Sequence, residues 1–521
     1  MLQFNNVFII LYLLLVVFIY GCGQKNLNIV LTGKAYYFSN SGNDSGAGTQ
    51  ALPFKTINKL NTLRLAAGDT VYFNGGQTFN GSVFIDSLNA AETHPIVITS
   101  YNNGSVIINS ADSNAITLYK CSYIKIVNMH VAGAGRKTGN IKDGIVINTC
   151  NNITIDSIDV SGFQKAGLFV YASGIVEINN VKAHDNGFAG ISVSGDYGKY
   201  NCYNIHINNC SAENNPGDPA NLTNHSGNGI IAGYCKNIII ENSTATNNGW
   251  DMPRTGNGPV GIWCYEADSV IIQRCISYAN KTSAGGGDGG GFDLDGGVTN
   301  TVIQYCLSYQ NQGSGFGIFQ YAGAGNWHDN VVRFNISEED GAVSPAKAGI
   351  FIWNSSRDTN QFKNCLFYNN VIYNSQVAAI SYDKESEHTG FKFYNNIFTA
   401  NNELLKGKPG NDVFMGNDWY SLQTTFNADG ILNFNAWANT YNQEKLNSKI
   451  VGLNVKPPFN NEGNANVTLP SQLNTFTNYQ LLLNDSLAYK GLDLYMLFGI
   501  KNGGKAFNQN QAPPKGLGAC F

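Results

Sequence analysis

Apolar residues between about positions 80 and 400 do not recur at helical spacing. They come in short Ile- and Val-rich runs, two to a unit, alternating with polar residues and bounded by Asn/Gly clusters. GIVINTCNNITIDSIDV, GLFVYASGIVEINNVKAHDN, GIIAGYCKNIIIENSTATNN, GIWCYEADSVIIQRCISYAN and GFDLDGGVTNTVIQYCLSYQN are successive examples. Period-two alternation over runs this short predicts strands, and the Asn/Gly clusters predict turns. A unit of this size buries its apolar face only by stacking on copies of itself, so the repeat predicts a solenoid. Because the rungs contain strands alone, the expected fold is all-β, a right-handed parallel β-helix.

The rungs can be laid in register on Gly144, Gly167, Gly190, Gly229, Gly261, Gly291, Gly315, Gly349 and Ala379, spaced 23, 23, 39, 32, 30, 24, 34 and 30 residues apart. A bare rung needs the shortest spacing, and the surplus is loop. Most of it falls after the second strand, just ahead of the next glycine, so the long loops leave from one corner, stacked roughly 4.8 Å apart. They form a wall beside a sheet, which makes a cleft. The register also places Ile158, Val181, Cys210, Ser243, Cys275, Cys306 and Asn335 at one inward position, so the cysteines read as small buried residues rather than disulfide partners. Asn186, Asn215, Asn248, Asn280 and Asn311 recur at the turn and predict a side-chain hydrogen-bond ladder.

Side chains alternate along a strand, so the first and third residues after each glycine point inward and the second and fourth outward. The outward pairs are then Trp263 and Tyr265, Asp293 and Asp295, Gly317 and Phe319, and Phe351 and Trp353, with Phe292 and Leu294 in the core. The Gly-rich stretch GGGDGGGFDLDGG thus returns a long loop onto a strand that displays two carboxylates between aromatic platforms. The wall adds His225, Asp251, Arg254, Lys281, Asp288 and Lys347. Aromatic faces stack on the apolar side of a pyranose and polar groups read its hydroxyls, so the cleft is expected to take a sugar chain. Trp263, Tyr265, Glu266, Phe319 and Trp353 are the expected substrate-binding residues.

Composition narrows the partners. Only 13% of residues are charged and the net charge is −4, with no basic stripe for nucleic acid, while 27 Tyr, 29 Phe and 6 Trp supply a large core and aromatic surfaces. The chain opens with the apolar run VFIILYLLLVVFIY and Gly21-Cys22, the pattern of an export signal. It resembles a bacterial lipobox, which implies a signal peptide over 1–21, lipidation at Cys22 and an outer-membrane lipoprotein of the cell envelope. An uncleaved anchor is the alternative.

The segment 34–73, with its SGNDS turn, PFKTI stretch, Ile57, Leu60 and Leu63 at helical spacing, and GDTV strand, resembles the N-terminal cap of pectate-lyase-like β-helix proteins. Residues 400–521, ending DSLAYKGLDLYMLFGIKNGG and GLGACF, resemble the closing segment of that superfamily. The expected organisation is a strand and helix cap over 22–79, the β-helix over 80–400, and irregular C-terminal rungs and cap over 401–521, as a monomer. The segment from NNGWDMPRTGNGPVGIW to GVTNTVIQY resembles β-helix proteins that Bacteroidetes use to break down polysaccharides, oligosaccharide-active ulvan dehydratases among them.

Two chemistries fit the acidic floor. Asp293 and Asp295, two strand residues and about 6.7 Å apart along the backbone, suit the acid and base of glycosidic hydrolysis, for which Glu266 and Asp288 are further carboxylates. The same site suits β-elimination on an anionic, uronate-containing glycan. There His225, Arg254 and Lys347 would be base and clamp, and Asp288, Asp293 and Asp295 would hold Ca²⁺ through oxygens. The polygalacturonase His-Gly and Arg-Ile-Lys signatures and the pectate-lyase Arg-x-Pro-x-x-Arg and Trp-Ile-Asp-His signatures are absent, so no role carries over from those enzymes. The cationic wall favours elimination, either a lyase or a dehydratase acting at a terminal uronate. Hydrolysis comes next, then a non-catalytic glycan-binding lipoprotein, then an adhesin, which would carry fewer long loops.

Overall fold

The computed structural model describes residues 33–521 except 345–346, 384–386, 402, 424, 483–484, 502–504 and 521. Cys22 and the leader lie outside the described residues. Among those described, no helix is long and apolar enough to cross a membrane.

Thirty-four strands from Ala35–Phe38 to Asp418–Ser421 pair in parallel into a β-helix of three faces. The solenoid starts earlier than 80, because the Ala35–Phe38 strand already pairs with Thr70–Asn74 as its first rung. It also runs past 400. The expected helix is a single turn, Ile57–Leu60, capped by the Thr56 hydroxyl, and its two apolar ends are buried.

The face that carries the cleft stacks Ala166–Tyr171, Ala189–Ser194, the first half of Asn228–Glu241, the first half of Val260–Gln273, Gly290–Leu294, Phe316–Gln320, Ala348–Asn354 and Ala378–Tyr382. Its register follows the expected one. Ile230, Ile262, Phe292, Phe316, Ile350 and Ile380 are successive partners and all fully buried. The outward partners on the same rungs are Ile231, Trp263, Asp293, Gly317, Phe351 and Ser381.

The corner from which the long loops leave is held by the expected ladder. Each asparagine amide donates to the next carbonyl oxygen, Asn215 to Asn248, Asn248 to Asn280 and Asn280 to Asn311, each at 2.9 Å, and Asn311 closes on Asp340 at 2.8 Å. The rung glycines exist to admit it. A methyl group on Gly261 would lie 2.6 Å from the Asn280 amide nitrogen and 2.9 Å from the Gly291 carbonyl oxygen. The ten described cysteines are buried and unpaired, as the register required. At Asn335 the inward column does change character. It begins a second ladder through Asn370, Asn396 and Asn417 that ends on Glu444.

Asn280→Ala removes an oxygen that accepts from both the Asn248 backbone and its amide. Buried donors left unpaired cost about 1–3 kcal/mol each, so chemical denaturation is expected to show a loss of about 2–4 kcal/mol. A neutral result would mean the ladder is ornamental.

The C-terminal segment divides in two. The Phe434–Thr440 helix plugs the open end, setting Trp437 against Trp419 and Phe414. The chain from about 456 onward then runs back along the outside of a second face, away from the cleft. Its Leu473, Phe476, Tyr479 and Leu487 share an apolar cluster with Leu307, Ile336, Val371 and Ile397 of that face. Sequence patterning placed the whole segment at the end of the solenoid. The apolar outer positions of that face, which need a cover, draw half of it back.

Candidate functional site

The wall loops 214–227, 247–259, 279–289 and 339–344 leave the ladder corner and arch over the outward side of the cleft face, around a cavity of about 850 Å³. It gathers His225, Arg254, Trp263, Tyr265, Asp288, Asp293, Asp295, Phe319, Lys347 and Trp353 from six rungs, together with Phe351. Of the wall residues read from sequence, Asp251 and Lys281 are elsewhere. Asp251 pairs with Arg136 and Lys137 at the back of its loop, and Lys281 is not among the residues that line the cavity.

Glu266 does not line the cavity either. The strand turns at this residue (φ 44°) and its carboxylate accepts from the Gly325 N–H at 2.9 Å and the Tyr321 hydroxyl at 3.3 Å. It buttresses Tyr321, which does line the cavity and which continues the outward alternation of Gly317 and Phe319 by one more step. Tyr234, Asn224 and Asp383 also line the cavity unforeseen. Tyr234 sits at a corner with positive φ inside its strand and Asn224 and Asp383 in bends, where alternation gives no direction.

Asp293 is 3% exposed, and its Oδ1 has no hydrogen-bond partner among the described residues. Gly317 on the next rung makes room for it, since a methyl there would lie 3.1 Å from the carboxyl carbon. Burial pushes the Asp293 carboxyl well above the usual range, helped by the charges of Asp295 and Asp288 and opposed by Lys347. Asp295 is raised to about 7, again by burial first, while the Gly296 N–H donating at 2.8 Å favours its charged form. The floor therefore holds two neighbouring carboxyls that burial shifts toward their neutral forms, a setting in which one can give a proton while the other takes one.

Above the floor stand two cations. Lys347 Nζ is 3.6 Å from Asp288 and 4.3 Å from the centre of the Phe351 ring. Arg254 donates to the Asn257 carbonyl at 3.0 Å and has no carboxylate partner among the described residues. His225 lies edge-on to Trp263, with ring centres 4.9 Å apart, and its Nδ1 is 3.1 Å from the Asn228 amide nitrogen. Burial and the nearby Arg254 charge lower its pKa to about 4, so the ring is neutral at physiological pH.

The set expected to hold Ca²⁺, Asp288, Asp293 and Asp295, lines the cavity together. Calcium takes six to eight oxygens, and the described residues contain no group of three or more His, Cys, Asp or Glu side chains placed to share a metal. Asp288 is already engaged by Lys347 and by the Gly258 N–H at 3.3 Å, and burial drives Asp293 toward its neutral form.

No functionally curated protein matches the sequence. Several solved structures align with the chain at low identity. A mannuronic acid specific polysaccharide family 6 lyase from human gut microbiota aligns with a TM-score of 0.50 and 14% identity, over 78% of this chain and 93% of that one. Pectate lyase Pel9A aligns with a TM-score of 0.43 and 14% identity, over 93% and 97%. The GH136 lacto-N-biosidase from Eubacterium ramulus aligns with a TM-score of 0.48 and 16% identity, and the alignment spans 67% of this chain and 65% of that enzyme. A family profile described as "Pel9A-like, right handed beta helix region" matches residues 36–339, more than half of the chain. The protein belongs to this Pel9A-like right-handed β-helix family.

Proposed function

We propose that this protein is a carbohydrate-active enzyme that breaks down uronate-containing glycans by β-elimination. The observation that carries the reading is the pair of cations, Arg254 and Lys347, lining one chamber with the Asp293 and Asp295 carboxyls and the rings of Trp263, Tyr265, Phe319, Phe351 and Trp353. A neutral sugar needs rings and hydrogen bonds; a carboxylated one also needs positive charge where its carboxylate sits. In the proposed reaction Asp295 takes the proton from C5, and the C–H electron pair becomes the C4=C5 double bond as the C4–O bond breaks. Asp293, protonated in its buried setting, gives its proton to the departing oxygen. Arg254 and Lys347 offset the negative charge that grows on the uronate carboxylate, a contribution that is commonly the largest in such sites. No step is routed through a metal.

The row of tyrosines leading out of the cavity favours an oligomeric substrate. Tyr265, Tyr234 and Tyr197 follow one another with ring centres 5.4 Å apart at each step, and Tyr197 is 80% exposed. The substrate is met at the cell envelope in this reading, with Cys22 the site of lipid attachment and the protein a monomer.

Hydrolysis is the second reading, favoured by one observation: Asp293 and Asp295 line the cavity as a carboxyl pair and would also serve as the acid and base of glycosidic hydrolysis. Incubating the protein with uronate oligosaccharides, while following ultraviolet absorbance and product mass in one tube, separates these outcomes. A new conjugated double bond with shorter chains is expected for a lyase. The same absorbance with loss of one water from an intact chain identifies a dehydratase, as the ulvan-type resemblance would have it. Shorter chains without absorbance establish hydrolysis, and no change in either leaves only glycan binding.

A further inference from the structure

One constellation in the cavity is not used by the proposed reaction. Asn228 sits one residue ahead of its rung glycine, fully buried, beneath the rings of His225 and Trp263. Its oxygen accepts from the Trp263 indole N–H at 3.1 Å, and its amide nitrogen lies 3.1 Å from the Phe188 carbonyl oxygen and 3.1 Å from His225 Nδ1. Two of these partners admit only one role. An indole N–H only donates and a backbone carbonyl only accepts, so the amide cannot be turned over. The nitrogen must face Phe188 and His225, with one N–H for each.

An N–H aimed at Nδ1 requires a lone pair there, so the proton of the neutral ring is carried on Nε2. The ring is held in place by Trp263 at 4.9 Å and Phe188 at 5.6 Å. Nδ1 is turned to Asn228, and Nε2, on the opposite edge of the ring, has no hydrogen-bond partner among the described residues in a side chain that lines the cavity. We infer that His225 serves the sugar as a neutral hydrogen-bond donor through Nε2–H, not as a base, and that Asn228 is the positioning residue that sets this tautomer. The inference rests on the reading of this cavity as a glycan site. Its chemical consequence is an acceptor oxygen on the substrate, carboxylate or hydroxyl, opposite His225.

Ring-¹⁵N-histidine labelling tests the tautomer directly, without any substrate. The sequence has seven histidines, and His225→Gln identifies the signal by its disappearance. At pH 7 the long-range ¹H–¹⁵N pattern is expected to show a protonated Nε2 and a bare Nδ1. A protonated Nδ1 or an imidazolium in the unmodified protein would overturn the inference. Asn228→Asp replaces the N–H by a carboxylate oxygen and is expected to draw the proton to Nδ1; an unchanged pattern in a folded variant would mean that Asn228 does not set it.

In turnover, glutamine carries an N–H and no basic nitrogen. His225→Gln is therefore expected to recover at least ten-fold of the kcat/KM lost in His225→Leu. Equal loss in both would assign His225 as a base. If no glycan turns over at all, the function reading fails and the tautomer pattern still decides the role of Asn228.

Discussion

Asp293→Asn is expected to lower turnover by roughly 10²–10⁴-fold, the range for losing a positioned proton donor, while leaving the fold intact and raising its stability at neutral pH. The two effects share one cause. The carboxyl is held at the floor of the cavity with one oxygen unpaired, a condition that suits proton donation and works against folding. Its folded pKa is raised, so the native protein binds a proton that the unfolded chain has released. Stability then falls as pH rises from the ordinary carboxylate range, about 4, toward the folded value. Asparagine carries no charge at any pH and removes that fall.

Thermal unfolding of the two proteins should therefore coincide near pH 4 and separate as pH rises, with the variant the more stable. A variant less stable than the parent at pH 8 would show that Asp293 is held by something other than burial. In the parent protein, the kcat/KM of the proposed reaction should rise through about pH 7 as Asp295 loses its proton, then fall where Asp293 loses its own. The pair titrates in two macroscopic steps.

Arg254→Gln is expected to cut kcat/KM on a uronate substrate by roughly 10²–10³-fold, the cost of removing one preorganised stabiliser of developing charge. The same variant should lose far less on a substrate whose carboxyl groups are methyl-esterified, because the interaction removed is with the charge. Arg254 is suited to the task by what it lacks: among the described residues no carboxylate neutralises it. Lys347, by contrast, is shared with Asp288. An equal loss on both substrates would assign Arg254 to holding its loop through the Asn257 carbonyl. The His225 ring supplies a second readout, since its pKa, about 4, is lowered in part by this guanidinium and should rise in the variant.

Much of the site was legible because the relevant rule is local. The outward direction of Trp263, Tyr265, Asp293, Phe319, Phe351 and Trp353 follows from alternation counted from a glycine, and all of them line the cavity. The rule fails where the strand ends. Glu266 sits at a corner with positive φ, so its carboxylate turns to Gly325, and Tyr234 reaches the cavity from a similar corner. Asn228 had no signal at all. Its importance comes from three partners supplied by residues 188, 225 and 263, which no spacing in the chain connects.

The all-β solenoid, the rung register, the buried cysteines and the asparagine ladder could be read from the chain because each repeats with the backbone's own period, and stacking copies one rung's geometry onto the next. Protonation, pairing and enclosure do not repeat. Whether Asp293 keeps a proton, whether Asp288 meets Lys347 or a metal, and which nitrogen of His225 faces the cavity depend on loops of unequal length closing over a strand from several rungs away. Electrostatics in a cavity is set by everything that excludes water from it, and that is assembled only when the chain is folded.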